Sequence, residues 1–298
     1  MATCKNTVVF IMGSTGTGKT KLSIDLGSHF PSEIINADKI QVYRGLDIIT
    51  NKIPESQQRG IPHHLLGIIE DPDFDFTPTH FCDQVISAIE HITKQGHIPI
   101  IVGGSNNYLE VLVEDHTLDF RSKYDCCFLW LDVCLDVLFP YLDKRVDEMV
   151  EAGLVDETRE YFVPGADYAI GIRRVIGAPE LDKYFKVEKD ANVDDAYKKE
   201  LLNDALQRMK ENTRTLARGQ LSKIHRLNNE LAWGLNRIDA TKVFEAVLSG
   251  SAYQVLWEDI VFNPSKGIVQ RFLEGRTTYE RWESYTEYYH DFGFRKNN

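Results

Sequence analysis

Apolar residues gather in short unbroken runs along the first half of the chain, each closing on a glycine or an aspartate. Val8-Val9-Phe10-Ile11-Met12 enters a glycine-rich loop, and Glu33-Ile34-Ile35-Asn36-Ala37 ends at Asp38. Ile98-Pro99-Ile100-Ile101-Val102 ends at Gly103-Gly104, and Cys127-Phe128-Leu129-Trp130-Leu131 ends at Asp132. Runs without polar alternation predict strands buried on both faces, and the helical spacing between them predicts a parallel sheet covered on either side. The stretch KTKLSIDLGSHF after the loop reads as a helix, and Leu135 to Val150 and Leu154 to Phe162 have amphipathic spacing. Ala196 to Arg218 predicts a long helix; Asp239 to Leu248 and Ser265 to Leu273 predict short ones. Val163 to Val193 is mixed, and the tail from Thr277 shows no period.

The loop itself reads Gly13-Ser14-Thr15-Gly16-Thr17-Gly18-Lys19-Thr20, placed between a strand and a helix. That context identifies a P-loop: glycines let the backbone approach phosphate oxygens, and the amides and helix N-terminus bind them. Lys19 adds a compact charge and the Thr20 hydroxyl a ligand for Mg²⁺. The expected fold is therefore α/β, a P-loop NTPase-like parallel sheet flanked by helices. Residues 1–140 and 205–262 are expected to form this core, 141–204 a smaller helical subdomain, and 263–298 a helical tail. In such sheets ligands lie outside the carboxyl ends of the strands. The loop, Asp38, Gly103-Gly104 and Asp132 all fall there.

Charge narrows the partners. The net charge is −11, from 45 acidic and 34 basic residues, which argues against a long nucleic acid, whose binding draws on a basic face. No apolar run approaches the ~18 residues of a membrane-spanning helix. Five cysteines without a CxxC pair are expected to be free, buried thiols. The first strand begins at Val8, which leaves no room for a targeting peptide; a cytoplasmic protein, or one whose transit peptide has gone, is expected.

Phosphate binding alone leaves the reaction open. A small-molecule kinase would need a carboxylate for magnesium, which Asp132 could imitate, and lid arginines, for which Arg173-Arg174 stands. A nucleotide-dependent switch would use the same loop but give no reason for the residues around Asp38. Those residues carry a resemblance. NADKIQVYRGLDIITNK (Asn36 to Lys52), IPHHLLGIIEDP (Ile61 to Pro72), VGGSNNYL (Val102 to Leu109), RVDEMVEAGLVDE (Arg145 to Glu157) and ENTRTLARGQLSKIHRL (Glu211 to Leu227) resemble, in order, the isopentenyltransferases that act on adenine. That family includes tRNA dimethylallyltransferases and the adenylate isopentenyltransferases of cytokinin synthesis.

The resemblance implies that the loop, Gly13 to Thr20, holds the diphosphate of dimethylallyl diphosphate as a leaving group, with Mg²⁺ and Arg214 (or Arg218) adding positive charge. Asp38 is expected to take the proton from the adenine N6 amine, and Thr15 to act at the reacting centre. Lys39, Gln41, Arg44, Ser105, Tyr108 and Lys223 are expected near the nucleotide, His225 at its phosphates; His63 and His64 lie in a family block and are read as structural. Three features favour a free nucleotide over tRNA. Only VEDHTLDFRSKYDC stands where tRNA enzymes place a long helical insertion, no zinc finger follows, and ADK and TNK resemble the plant adenylate group. Arg218-Gly219-Gln220 departs from the family's usual KRQ, so a basic contact is lost or moved. The resemblance further implies dimethylallyl diphosphate with ATP, ADP or AMP as partners, a plastid location and a monomer.

Overall fold

Val8, Phe10 and Met12 point to one side of a strand, Val9 and Ile11 to the other, and all five are inaccessible to solvent. A strand with no wet face belongs in the middle of a sheet covered on both sides. That is where it lies in the computed structural model of the protein, which describes residues 6–275. Six strands form one sheet: β1 (Asn6–Gly13), β2 (Ser32–Asn36), β3 (His63–His64), β4 (Ile98–Val102), β5 (Tyr124–Asp132) and β6 (Asn236–Asp239). Their order is β3-β2-β4-β1-β5-β6, with every neighbouring pair parallel. Val9 stands beside Ile100 on one flank and Cys127 on the other. The four central strands are those the apolar runs predict. The edge strands escape prediction because β3 has two residues and β6, NRID, buries only Ile238.

The helices are α1 (Lys19–Gly27), α2 (Pro78–Lys94), α3 (Asn106–Glu114), α4 (Phe120–Lys123), α5 (Leu135–Glu151), α6 (Leu154–Glu160), α7 (Ala178–Val187), α8 (Asp195–Asn229), α9 (Thr241–Leu248), α10 (Gln254–Trp257) and α11 (Asn263–Leu273). On one face of the sheet, Phe10, Ile35, Ile101 and Phe128 pack with the stripe Phe81, Val85, Ile89 and Ile92 of α2 and with Leu109 and Leu112 of α3. On the other, Ile11, Ile34, Ile100 and Leu129 pack with Leu22 and Leu26 of α1, Leu138 and Leu142 of α5, and Val243 and Phe244 of α9.

Two differences from the sequence reading matter for the site. The helix predicted to end at Arg218 runs on to Asn229, so α8 spans 35 residues. It crosses the boundary expected near residue 204: Ala205 and Met209 pack with Leu181 of α7, while Ile224 and Leu227 join the main core. The segment predicted as helix from Asp239 instead ends β6 there and starts α9 at Thr241, whose hydroxyl accepts the Cys134 amide at 2.9 Å. The cysteines also correct an expectation, since Cys82 and Cys127 are buried but Cys126 is half-buried and Cys134 exposed. The tail after Gly275 lies outside the described residues, as does Cys4.

Candidate active site

The loop between β1 and α1 takes its shape from positions where no side chain fits. Gly18 is left-handed, with φ 89° and ψ 13°, and turns the chain into α1. A Cβ on Gly103, at the end of β4, would stand 2.2 Å from the Ala37 carbonyl oxygen. That contact brings the end of β2, and Asp38 after it, against the end of β4. Long-range bonds then fasten the loop to α8. The Ser14 hydroxyl donates to the Ala217 carbonyl at 3.0 Å, and the Thr15 amide donates to Gln220 Oε1 at 2.7 Å. Gln220 Nε2 donates in turn to the Gly104 carbonyl at 3.0 Å.

Above the loop opens a cavity of about 570 Å³. Among the described residues its lining holds five cationic side chains, Lys19, Lys39, Arg145, Arg174 and Lys223, against one carboxylate, Asp38. In a chain of net charge −11 this is a concentrated reversal of sign. The cations form two groups, and the Asp38 charge acts on members of both. Lys19 and Arg145 stand at the loop: the Arg145 guanidinium donates to the Thr15 hydroxyl at 3.0 Å, and Lys19 Nζ donates to the Ser14 carbonyl at 2.6 Å. Burial pushes the Lys19 ammonium down to about 8, with Asp38 opposing and Arg145 reinforcing the shift. Burial also lowers Arg145, against Tyr141 and Asp38, and its Nε is buried without a partner.

Lys39, Arg174 and Lys223 form the second group. Burial lowers the Lys39 pKa, and Arg174 and Lys223 lower it further while Asp38 opposes them. Arg174 Nε and Nη2 are buried without hydrogen-bond partners, and its Nη1 lies 3.6 Å from Asp75. Buried guanidinium donors left unpaired are costly in a protein that keeps them for structure alone, and suit one that meets an anion there. Asp38 is oriented by its own turn, with Oδ1 accepting the Ile40 amide at 2.9 Å. Ile49, Val146, Met149, Leu154, Val175, Ile176, Met209 and Leu216 supply an apolar wall from the helical subdomain and the loop after β2.

Of the residues expected from sequence, Thr15, Gly16, Gly18, Lys19, Thr20, Asp38, Lys39, Gln41, Ser105, Tyr108 and Lys223 line this one cavity. The Ser105 hydroxyl accepts the Lys39 amide at 2.9 Å, and Gln41 braces the carbonyls of Thr50 and Asn51 at 3.0 and 3.3 Å. Gly13, Ser14 and Thr17 serve the loop from behind: the Thr17 hydroxyl donates to the Ser14 carbonyl at 3.0 Å. Arg214 is not brought to the loop; it pairs with Asp143 at 2.7 Å, facing a separate depression between α5 and α8 that it shares with Arg218. Arg218 lies over the Phe139 ring at 4.4 Å. Arg44 pairs with Glu70 at 2.6 Å on the surface. Gly219 lines the cavity but brings no side chain, and the arginine beside the loop is Arg145.

Asp132 is held by Arg237 at 2.7 Å and does not line the cavity, so a kinase would lack its expected magnesium carboxylate there. Arg173 is spent on Asp73 and the Tyr161 carbonyl, at 2.6 and 2.8 Å. His64 is structural, bound to buried Glu33 at 2.7 Å, whereas His63 lines the cavity with Nδ1 on the Ile61 carbonyl at 2.8 Å. His225 packs edge-on to Trp130 instead of lining the cavity. Sequence reasoning gave no role to Arg145 or Gln220. Arg145 had left a signal, a charge set into the apolar stripe Leu138, Tyr141, Leu142, Val146, Met149 of α5. Gln220 left only its place in the block that resembles the family's KRQ; its role was hidden because its partners lie more than a hundred residues away.

The chain matches the family model described as IPP transferase over residues 41–123 and 116–226. It is 49% identical over 270 residues to adenylate isopentenyltransferase 3, chloroplastic, of Arabidopsis thaliana, covering 90% of this chain and 80% of the relative. Adenylate isopentenyltransferase 7, mitochondrial, of the same plant is 45% identical, with coverages of 90% and 80%. Adenylate isopentenyltransferase of Humulus lupulus is 41% identical, covering 89% of each chain. Among solved structures, a eukaryotic dimethylallyltransferase acting on tRNA superposes with a TM-score of 0.74 at 27% identity, covering 91% of this chain and 80% of that one. The full-length tRNA isopentenylpyrophosphate transferase of Bacillus halodurans gives 0.68 at 26%, with coverages of 91% and 97%.

Proposed function

This chain belongs to the IPP transferase family, and from that premise we propose that it moves the dimethylallyl group of dimethylallyl diphosphate onto N6 of the adenine of ATP, ADP or AMP, releasing diphosphate, in cytokinin synthesis. The observation that carries this reading is one carboxylate among the described lining residues, Asp38, whose charge acts on both groups of cations in one cavity. Two anionic substrates meet there, with the group that takes the proton at their junction.

The donor's C1–O bond breaks with its electron pair leaving on diphosphate, and charge builds on the bridging oxygen. Arg145, Lys19 and the loop amides meet that charge where it develops, which is where electrostatic stabilisation accelerates a step most. The Thr15 hydroxyl, held by Arg145, would bond the bridging oxygen. The N6 lone pair forms the new N6–C1 bond, and the N6 proton passes to Asp38. Because the Ile40 amide occupies Oδ1, Oδ2 is left for that proton. The apolar wall suits a five-carbon group and the adenine ring, and it excludes the water that would hydrolyse an allylic cation.

Magnesium fits this site as a partner of the substrate. No group of three or more His, Cys, Asp or Glu side chains among the described residues could hold a metal, and the oxygen ligands nearest in kind to a P-loop magnesium site are the Thr20 hydroxyl and the Asp38 carboxylate in the cavity lining. Mg²⁺ commonly takes few protein ligands and completes its shell with phosphate oxygens and water. Thr20 would hold it, and when bound it neutralises charge on the departing diphosphate.

For the acceptor, we assign the cavity-lining Arg174, Lys39 and Lys223 to the nucleotide phosphates; only residues 115–123, with the four-residue α4, separate α3 from β5. Relatives named chloroplastic support a plastid assignment over the mitochondrial one that another relative's name carries, to be checked by imaging a fluorescent fusion. Incubating the protein with dimethylallyl diphosphate, Mg²⁺ and one acceptor at a time tests the reaction. N6-prenylated ATP, ADP or AMP is expected; prenylation confined to an unmodified tRNA anticodon stem, or phosphorylation of a metabolite, would replace the reading.

A further inference from the structure

The carboxyl-terminal part of the described chain has no part in the chemistry above, yet it touches the phosphate loop. Trp257, the last residue of α10, is buried with its ring against Gly18; a Cβ there would stand 2.9 Å from Cζ3 and 3.0 Å from Cη2. Its indole N–H donates to Asp25 of α1 at 2.8 Å, and Lys21 Nζ lies 4.9 Å from the ring centroid. Arg59 holds the other oxygen of Asp25 at 3.2 Å. Behind Gly18 the aromatic wall continues through Phe244, which meets Tyr141 edge-on at 4.8 Å beside Arg145.

After Trp257 the helix widens into a π turn, Glu258–Phe262, before α11. Such a turn inserts a residue and rotates the side chains around it, and it is retained mostly where a particular placement is needed. Here it sets Trp257 on the start of α1 while Phe262 meets His29 just past the end, at 6.3 Å between centroids. One strap thus spans the helix that carries Lys19.

We propose that this strap keeps the phosphate loop in its binding shape through Trp257, a positioning residue for the donor's diphosphate. The proposal rests on the reading that the loop binds diphosphate. Gly18 immediately precedes Lys19, and its left-handed backbone is not held by a side chain of its own. A rigid ring packed on that peptide limits its rotation and so fixes where the Lys19 ammonium and the first amides of α1 point. Preorganised donors bind and stabilise charge without the cost of reordering.

The test uses the full chain with inorganic diphosphate and Mg²⁺, read by intrinsic tryptophan fluorescence and by steady-state kinetics. Trp257→Phe keeps a ring but drops the Asp25 bond. It is expected to weaken diphosphate binding about tenfold and to raise the KM for dimethylallyl diphosphate by a similar factor, with the nucleotide KM unchanged. The fluorescence change on adding diphosphate should vanish in Trp257→Phe and persist in Trp233→Phe. Should Trp257→Phe fail to fold, Asp25→Asn, which leaves the ring in place and weakens its anchor, is expected to raise the donor KM severalfold with the nucleotide KM unchanged. Wild-type protein that binds no diphosphate would overturn the functional reading and this proposal with it. Wild-type binding matched by folded Trp257→Phe, a fluorescence response that survives the substitution, or an Asp25→Asn donor KM equal to wild type would overturn the strap alone.

Discussion

Burial holds the Lys19 ammonium at a disadvantage. Burial takes its pKa from 10.5 to about 8, so below pH 8 the folded state carries an ammonium that the unfolded chain would solvate better. That costs stability up to about 3 kcal/mol at neutral pH, fading as pH rises from 8 towards 10.5. Replacing it by methionine should raise the melting temperature by about 3 °C or more at pH 7 while abolishing diphosphate binding. In the wild type, diphosphate affinity should hold below pH 7 and fall above pH 8 as Lys19 loses its proton; calorimetry across pH checks both. Asp38 should separate differently, with Asp38→Ala lowering turnover about 100-fold or more and leaving diphosphate affinity intact, a split that single-turnover kinetics resolves. Asp38 was legible in the sequence because it closes an apolar run. Arg145 was harder to place, since a charge on a helix reads as solvated until the facing cavity is known, and Arg214 and Arg145 are indistinguishable before their neighbours are.

Strands that were visible as apolar runs supply the loop, Asp38 and the Gly103-Gly104 turn, because the carboxyl ends of parallel strands lie on one edge of the sheet. Helix α8 was visible as a helix but not as the partner of the loop, since Ser14–Ala217 and Thr15–Gln220 join residues more than two hundred apart. Nor did the two-residue β3 show itself, although it anchors an edge: His64 from β3 and His97 before β4 both bond buried Glu33 of β2, at 2.7 and 2.9 Å. Burial alone would raise the Glu33 pKa, but the hydrogen bonds and charges of the two histidines together outweigh it and hold it below the ordinary 4.5. A carboxyl lowered by folding stabilises above its unfolded pKa and is lost as pH falls through the folded one. Glu33→Gln should therefore lower stability at pH 6 and flatten the decline below pH 4.5, as denaturant midpoints across that range would register.

Across the whole molecule, a chain of net charge −11 encloses a cavity whose cations come from β1–α1, the turn after β2, α5, the segment before α7, and α8. No local motif contains them; only the fold brings them together, which is why the reaction was legible from the family blocks while the charge arrangement was not. The distribution predicts an effect of phosphate number: Lys223→Ala should raise the KM for ATP and ADP about tenfold and that for AMP much less, measured with the donor saturating. The most direct measurement is a crystal structure with an unreactive thio analogue of dimethylallyl diphosphate and ADP together. The donor's diphosphate is expected on Lys19, Arg145 and the loop amides, the ADP phosphates on Arg174 and Lys223, and N6 within hydrogen-bond reach of Asp38. ADP phosphates seated in the loop, with adenine turned from Asp38, would contradict the account.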